Sequence, residues 1–375
     1  MKIPPKRVIV SVTNDLTTDQ RVDRSCTTLV KMGFDVLLVG RQLPKSLDLE
    51  PRPYQTKRMK LLFNKGPLFY AEYNIRLFFF LLFRKADLVL SNDLDTLTAN
   101  YLASGIRHLP LIHDCHEYFR GVPELNGRRV VTGIWKFLED SIFPKLKTVM
   151  AVNASIAEIY HKEYGNEIKV IRNVPVTKPS TQPKKKSDLG IGEDQKVILY
   201  QGAVNVDRGL EEAIQAMRFV KSNAVLLIIG TGDIYEKMKQ LVSDLNLTSN
   251  VILTGQIPFQ QLHAWSLMAD IGLSIEKDVS LNYHYCLPNK FLDYIQAGVP
   301  VLISPMPEML AIVEKYNIGG IISSHDPNYL AGKIDEMLEN KGQLVRFREN
   351  IRKAATDLCW EKEETEFMKI FELYA

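Results

Sequence analysis

The chain has 375 residues, of which 46% are hydrophobic and 24% charged, and its net charge is +3. These values are typical of a folded globular protein and exclude a fibrous or disordered chain, and the length predicts about two domains. The first residues, MKIPPKRVIVSVTND, predict a strand rather than a signal peptide. Four scattered cysteines without CxxC spacing indicate neither a disulfide framework nor a zinc site, so a reducing, cytoplasmic location is expected.

Short apolar runs alternate with helical patterns along both halves of the chain. The predicted strands are 7–12, 35–40, 86–93, 109–116, 146–153 and 168–173, then 196–204, 224–232, 250–258, 269–275, 299–304 and 319–323. Such alternation predicts parallel sheets covered by helices on both faces. The stretch 174–195 has three prolines, three consecutive lysines and no apolar period. We therefore expect an α/β protein of two doubly wound Rossmann-like domains, 1–175 and 196–355, joined by a linker at 176–195.

The two halves differ in charge. Residues 1–175 carry 26 Lys and Arg against 18 Asp and Glu, whereas the remainder carries 21 against 26, so different partners are expected. The basic residues between 52 and 65 precede an apolar run at 77–83, which is too short to span a bilayer. That run is either a core helix of the first domain or an interfacial segment beside a polybasic patch on an anionic membrane. No recognised nucleic-acid-binding motif is present.

The stretch CLPNKFLDYIQAGVPVLIS, 286–304, combines a helix start with charged residues. Pro288 suits a first helical turn, and a helix N-terminus with Lys290 would attract a phosphate. Asp293 lies one turn on, on the same face, where ribose hydroxyls would supply donors to its carboxylate. This combination favours a nucleotide diphosphate. The alternative is a surface Lys–Asp pair that caps a core helix.

The same stretch resembles the donor-binding signature of family-4 glycosyltransferases, retaining enzymes of the GT-B fold, in which two doubly wound domains face each other across a cleft. It is most similar to the Pro-Asn-Lys branch, which includes many bacterial surface-polysaccharide enzymes. By this resemblance Pro288 and Asn289 belong to the donor site, and Asp293 matches the acidic residue that holds the ribose. Many members carry a further Glu eight residues earlier, where this chain has Tyr285.

The resemblance extends over nearly the whole chain. In YQGAVNVDRGLEEAI, 200–214, it implies that Gly202 opens the donor loop and that Arg208 binds the diphosphate. It further implies that Gly230 and Gly232 allow the chain to approach the ligand closely, while the backbone at Gln256 and Ile257 faces the base. Residues 356–375 resemble a final helix that crosses back to the first domain.

The first half carries the acceptor-side pattern in LPLIHDCHEYF, 109–119. His116 matches the histidine that contacts the donor sugar, with Glu117 beside it, and Asn14 and Asp15 match the first acceptor-side loop. A metal cluster is an alternative for the His-Asp-Cys-His run, but alternate residues of a strand point to opposite faces and cannot converge on one ion. His116 could also be purely structural.

The resemblance implies transfer of a sugar from a nucleotide sugar, with UDP favoured over GDP, to a glycan or a polyprenyl-linked acceptor. The expected catalytic residues are His116, Arg208 and Lys290, which act through charge stabilisation and orientation, and no metal or cofactor is required. The expected location is cytoplasmic, at the inner membrane face if the basic segment docks there. The alternatives are a nucleotide-sugar epimerase of the same fold and a non-catalytic sugar-nucleotide-binding protein.

Overall fold

The computed structural model describes residues 4–17, 19–122, 125, 127–178 and 180–375. The chain divides into two compact units. The first unit contains residues 1–173 and 363–375, and the second contains residues 174–362. Each is described by itself below.

The described residues of the first unit form a parallel sheet with the strand order β3-β2-β1-β4-β5-β6-β7. The strands are β1 (Arg7–Ser11), β2 (Asp35–Gln42), β3 (Gln55–Lys60), β4 (Leu88–Asn92), β5 (Leu111–Cys115), β6 (Thr148–Ala151) and β7 (Ile168–Val170). The helices are α1 (Gln20–Lys31), α2 (Gly66–Phe83), α3 (Leu94–Arg107), α4 (Arg129–Ile142) and α5 (Ala154–Tyr164). The order reverses between β1 and β4, so the loops that follow these two strands are where a ligand site is expected.

The strands form where the sequence supplies unbroken apolar runs. All five residues of β4 are buried, as a sheet covered on both faces requires. Asp19 caps α1 by accepting a hydrogen bond from the Val22 amide, and Asn153 caps α5 through the Ile156 amide. The sequence analysis does not predict strand β3, because only Met59 of QTKRMK is buried and the segment therefore has no apolar run. It is an edge strand whose other residues are charged or polar and half-exposed or exposed.

Helix α2 contains the apolar run at 77–83, and one of its sides belongs to the core. Tyr73, Leu77 and Leu81 are each 0% exposed. The core interpretation is therefore confirmed for this side of the helix. The opposite side leaves Ile75 and Phe79 more than half exposed. None of the helices in the described part of the chain is long and apolar enough to cross a membrane.

The described residues of the second unit repeat this topology, with the parallel order β10-β9-β8-β11-β12-β13. The strands are β8 (Lys196–Gln201), β9 (Ala224–Ile229), β10 (Val251–Gly255), β11 (Ile271–Ser274), β12 (Val301–Ile303) and β13 (Gly319–Ile321). The helices are α6 (Leu210–Ala216), α7 (Tyr235–Asp244), α8 (Phe259–Ser266), α9 (Leu281–His284), α10 (Asn289–Gln296), α11 (Pro307–Tyr316), α12 (Pro327–Glu339) and α13 (Lys341–Asp357). Helix α14 (Trp360–Glu372) follows, and most of it belongs to the first unit. The order reverses between β8 and β11. The prediction of two doubly wound α/β domains is confirmed.

The last helix, α14, begins in the second unit and continues into the first from Glu363 onward. Glu363 is 5% exposed and forms an ion pair with Arg172. Phe367 and Phe371 are each 0% exposed. The end of the chain is thus part of the first unit's core. The stretch 176–195 lies in the second unit, where Ile191 is 3% exposed within its core.

Candidate functional site

The predicted donor-site residues of the second unit lie on loops that follow its strands. Gly202 and Arg208 follow β8, and the loop after β11 leads through α9 to α10. These two strands are neighbours at the point where the strand order reverses, which is the usual ligand position in an open α/β sheet. The predicted residues thus lie at the edge of the sheet where a ligand is expected.

Helix α10 begins directly after Pro288, which has extended backbone angles (φ −66°, ψ 139°). Pro288 is thus the residue before the helix rather than part of its first turn, and its carbonyl accepts the Phe291 amide at 3.1 Å. Tyr294 fixes the helix to the sheet, because its buried hydroxyl donates to the Leu199 carbonyl at 3.1 Å and accepts the Gln201 amide at 3.0 Å. The first turn of α10 is therefore held at a fixed position beside β8.

Lys290 is 8% exposed and lies against a buried carboxylate that the sequence analysis did not single out. Its ammonium is 2.6 Å from Oε1 of Glu276, which is 0% exposed and follows β11. The same ammonium lies 3.9 Å from the centre of the Tyr200 ring. The Arg208 guanidinium approaches the same carboxylate oxygen at 3.8 Å and lies 4.4 Å from the centre of the Tyr283 ring. Lys290 and Arg208, the two cations predicted to bind the diphosphate, thus lie close together with the Glu276 carboxylate between them.

Both members of the Lys290–Glu276 pair are ionised. Burial raises the pKa of Glu276, but Lys290 and then Arg208 outweigh it and hold that pKa below its usual value. Burial lowers the pKa of Lys290, but the Glu276 carboxylate outweighs it and raises that pKa. A lone acidic residue directly after an apolar strand was the signal in the sequence that could have identified Glu276.

Asp293 is half-buried and lies in a small recess. Its Oδ2 accepts a hydrogen bond from the Gln201 side-chain nitrogen at 3.2 Å, and the Gln201 side-chain oxygen, Oε1, accepts one from the Ser266 hydroxyl at 2.7 Å. The recess is lined by Lys178, Gln201, Phe259, Leu262, His263, Ser266 and Asp293. Asp293 therefore presents its carboxylate to an open pocket with polar and aromatic walls, instead of pairing with Lys290 on the helix surface.

The two glycines predicted to approach the ligand, Gly230 and Gly232, instead pack closely against the loop that follows β8. A Cβ on Gly230, where φ is +143°, would lie 1.8 Å from the Gly202 carbonyl oxygen. A Cβ on Gly232 would lie 2.3 Å from the Asn205 side-chain oxygen. The absence of side chains at both positions allows the loops after β8 and β9 to touch each other, which sets the shape of the donor loop.

The remaining predicted donor residues are less enclosed. Gln256 is exposed, and Ile257 packs partly against the core of the second unit. Tyr285, which stands where many relatives have the first carboxylate, is half-buried with its ring centre 4.6 Å from that of His284. Asn289 is the first residue of α10. Tyr285 and Asn289 adjoin Lys290 in the sequence, whereas Gln256 and Ile257 follow β10.

In the first unit His116 follows β5 and lies among carboxylates. Its Nε2 is 3.3 Å from Asp114 and 3.0 Å from the Asn92 side-chain oxygen, and its Nδ1 is 3.5 Å from Asp93. Asp93 also accepts the His116 amide at 2.8 Å. The backbone of Asp93 has a positive φ of 56°, a conformation that non-glycine residues rarely adopt. His116 is therefore oriented on both ring nitrogens.

These carboxylates keep His116 charged. Burial lowers the pKa of His116, but Asp93 and Asp114 outweigh it and raise that pKa to about 9. Burial raises the pKa of Asp114, but the buried Arg21 guanidinium outweighs it and holds that pKa far below its usual range. For Asp93, burial is the largest influence and raises its pKa despite the neighbouring imidazole. The site therefore presents a protonated imidazole at neutral pH.

The predicted acceptor-side residues Asn14 and Asp15 shape their own loop. Asn14 donates to Asp19 at 2.6 Å, and Asp15 accepts hydrogen bonds from the amide and hydroxyl of Thr17. Glu117 is half-buried beside His116. Among the described residues, no group of three or more His, Cys, Asp or Glu has an arrangement that would hold a metal ion.

Two family models match the chain in succession. The model described as Glycosyltransferase Family 4 matches residues 20–174, and the model described as Glycosyl transferases group 1 matches residues 181–354. The chain thus carries the two domains of a glycosyltransferase, and its two doubly wound sheets are those of the GT-B fold.

Individual relatives agree with this class. An uncharacterized glycosyltransferase of Methanocaldococcus jannaschii is 27% identical over 179 residues, which span 46% of this chain and only 43% of that protein. Sucrose-phosphate synthase from Thermosynechococcus elongatus has a TM-score of 0.79 at 17% identity and 98% coverage of both chains. HepE of Anabaena in complex with UDP has a TM-score of 0.73 at 14% identity, covering 98% of this chain and 99% of that one. At these identities the structures show the fold, and the predicted GT-B fold is confirmed.

Proposed function

We propose that this protein is a retaining family-4 glycosyltransferase that transfers a sugar from a nucleotide-diphosphate donor, with UDP favoured over GDP, in the synthesis of a cell-surface polysaccharide. The observation that carries the proposal is the arrangement at α10. Lys290 in its first turn lies beside Arg208, and Asp293 one turn on opens into a recess. Cations for a diphosphate and a carboxylate for a ribose are thus present on one short helix and its neighbouring loop.

The chemistry follows from the charge that develops on the leaving diphosphate. Arg208, Lys290 and the N-terminus of α10 would stabilise that charge, since donors fixed in advance stabilise a transition state most effectively. Asp293 would hold the ribose hydroxyls. The departing phosphate oxygen would take the proton of the acceptor hydroxyl on the same face of the sugar. The UDP complex of HepE, a protein of the same fold, supports a nucleotide sugar as substrate.

His116 would orient the donor sugar, as the resemblance implies. A protonated imidazole donates hydrogen bonds from both nitrogens, so its acceptors in the free protein are Asp93, Asp114 and the Asn92 side chain. A sugar hydroxyl would compete for one of these positions. Glu117, Asn14 and Asp15 would serve the acceptor.

For the acceptor we propose a glycan carried on a polyprenyl lipid, reached at the cytoplasmic face of an anionic membrane. Helix α2 leads from β3 to β4, α3 from β4 to β5 and α4 from β5 to β6. All three connections run in the same direction along the sheet, so right-handed crossovers place the three helices on one face of it. Eight of the large apolar residues that they expose are Ile75, Phe79 and Phe83, Leu102 and Ile106, and Val130, Ile134 and Phe137. We call these eight residues the apolar surface.

The charge around the apolar surface favours an anionic lipid partner. Lys57, Lys60 and Lys65 are exposed in the basic segment that precedes α2, and Arg84, Lys85, Arg128 and Arg129 are exposed at the ends of α2 and α4. Exposed apolar residues next to cations are typical of interfacial binding, and each cation near an anionic bilayer contributes about 1 kcal/mol. The surface lies wholly in the first unit.

The donor site is tested by binding. UDP-sugars and GDP-sugars should raise the melting temperature of the wild type, and calorimetry should give the affinity of the best of them. Asp293→Asn should weaken that affinity by roughly 10-fold or more, because a charged acceptor is replaced by a neutral one. Asp244→Asn, on the exposed side of α7, is the matched control. Equal affinity of wild type and Asp293→Asn, or no binding by either, would contradict the assignment.

Transfer is tested with lipid extracts. Release of the nucleoside diphosphate should require both the donor and a lipid extract that contains polyprenyl-linked glycans. Turnover of the donor without any acceptor, with an epimerised product, would instead indicate an epimerase. Donor binding without nucleotide release from any extract would indicate a binding protein.

A further inference from the structure

Glu276 has no role in the function proposed above, yet it is the most enclosed charged group of the donor site. It is 0% exposed and lies against both cations that would hold the diphosphate. We infer that Glu276 is a positioning residue of the donor site, which holds the Lys290 ammonium beside Arg208 before the donor arrives and limits the net charge of this trio to a single positive charge. This inference rests on the proposed function.

Three separate elements meet at this carboxylate. Glu276 follows β11, Lys290 lies in the first turn of α10, and Arg208 lies in the loop after β8. The Glu276 oxygen Oε2 accepts a hydrogen bond from the Ser274 hydroxyl at 3.0 Å, which fixes the carboxylate. Its other oxygen, Oε1, faces Lys290 at 2.6 Å and Arg208 at 3.8 Å. One fixed acid thus sets the positions of two long, flexible cationic side chains.

The contact with Glu276 uses only part of the hydrogen-bonding capacity of Lys290. Its nitrogen is 2.6 Å from Oε1, the distance of a charge-assisted hydrogen bond. A lysine ammonium carries three N–H donors, so donors remain that can be directed at an incoming phosphate oxygen. A buried ammonium without any counter-ion would cost several kcal/mol, so the acid keeps Lys290 charged while the site is empty.

The charged and titratable groups that face Lys290 are few. Glu276 attracts it, the Tyr200 ring lies below it, and Arg208 repels it. The Cys286 thiol adjoins Glu276, and burial raises the pKa of that thiol to about 12, so it is neutral at working pH. Glu276 is therefore the group that keeps Lys290 protonated in the empty site.

Glu276→Gln tests the inference, since it keeps the shape and removes the charge. In this variant Lys290 has no counter-ion and loses its proton more readily, so nucleotide binding must restore that proton. The affinity for UDP, or for GDP if only GDP binds, should therefore fall by at least about 2-fold in the variant between pH 7 and pH 9.5, because burial without a counter-ion lowers the pKa of a lysine, and it should stay constant in the wild type. Calorimetry in buffers of different ionisation enthalpy should show proton uptake only in the variant. Glu236→Gln, on the exposed side of α7, should behave as the wild type.

A stability cycle tests the pairing without any nucleotide. Lys290→Met leaves Glu276 buried and uncompensated, whereas Lys290→Met with Glu276→Gln leaves no buried charge. The double variant should therefore resist urea better than Lys290→Met alone. The inference is overturned if the double variant is no more stable, or if Glu276→Gln and the wild type share one pH profile of nucleotide affinity. If the wild type binds neither nucleotide, the proposed function fails, and the stability cycle alone then decides whether Glu276 holds Lys290.

Discussion

Arg21 binds Asp114 through two parallel hydrogen bonds, with Nη2–Oδ1 at 2.6 Å and Nε–Oδ2 at 3.0 Å. The two side chains are 3% and 1% exposed, so this ion pair lies in the interior of the first unit. It joins the start of α1 to the end of β5, 93 residues later in the chain. Asp114 in turn faces His116 at 3.3 Å. The position of the candidate catalytic residue His116 thus depends, through Asp114, on an arginine in the first turn of α1.

Removal of this arginine should destabilise the protein strongly. Arg21→Met leaves the Asp114 carboxylate buried without its partner, and loss of one member of a buried pair costs about 3–5 kcal/mol. Urea denaturation should show a loss in this range. Arg21→Met combined with Asp114→Asn removes the stranded charge and should recover part of it. Equal stability of the single and the double variant would show that the pair is not coupled.

The charge of His116 predicts how stability depends on pH. Its folded pKa of about 9 exceeds the unfolded value of about 6.5. The group therefore contributes stability that is fully present below pH 6.5 and is lost as the pH rises through 9. The difference in unfolding free energy between the wild type and His116→Gln should shrink by about 3 kcal/mol between pH 6.5 and pH 9.5. A gap that is constant over this range would contradict a raised pKa.

Gly230→Ala should deform the donor loop. The added Cβ would lie 1.8 Å from the Gly202 carbonyl oxygen, so backbone must move. We expect a loss of at least about 3 kcal/mol in unfolding free energy, the upper range of overpacking costs, and weaker nucleotide binding. Gly190→Ala is the control, because its φ is also positive, at +71°, but no atom lies within 4 Å of the new Cβ. Similar losses in the two variants would mean that backbone conformation, not the close approach to Gly202, determines the effect.

The apolar surface predicts binding to anionic vesicles. Phe79→Ser with Phe137→Ser should reduce sedimentation with phosphatidylglycerol vesicles without reducing stability, since both side chains are more than half exposed. Neutralising Lys57, Arg58 and Lys60 should reduce it further and make it less sensitive to salt. Val345→Ser, on the exposed side of α13 in the second unit, is the matched control. Unchanged sedimentation of the double serine variant would exclude docking through this surface.

The parts of the fold that the sequence predicted are those where apolar runs decide the structure. The order of strands and the edge at which the ligand loops lie follow from alternating strands and helices. Strand β3 was not predictable in this way, because a mostly exposed edge strand has no apolar run. From the sequence these residues are predicted only to be part of a basic segment. In the structure they are basic and also form a strand.

The site was predicted less completely, because charge pairing joins residues that are distant in sequence. Lys290 and Arg208 were identified from their motifs, but Glu276 lies outside those motifs, and its importance depends on burial. Arg21 lies in the first turn of α1, whereas its partner Asp114 is on β5. Long-range partners of this kind follow from the sheet topology and cannot be read from local spacing.

The hydroxyl of Tyr294 determines which parts of the donor domain can vary. It joins α10 to β8 and to the Leu273 carbonyl of β11, at 3.3 Å, so the helix cannot shift along the sheet. The stretch between Glu276 and Pro288 is thus a bridge between two independently anchored ends. Changes in its length, by evolution or by loop grafting, would therefore leave the register of Asp293 undisturbed. Its composition is less free, because the Tyr283 ring centre lies 4.4 Å from the Arg208 guanidinium and ties this stretch to the position of that cation.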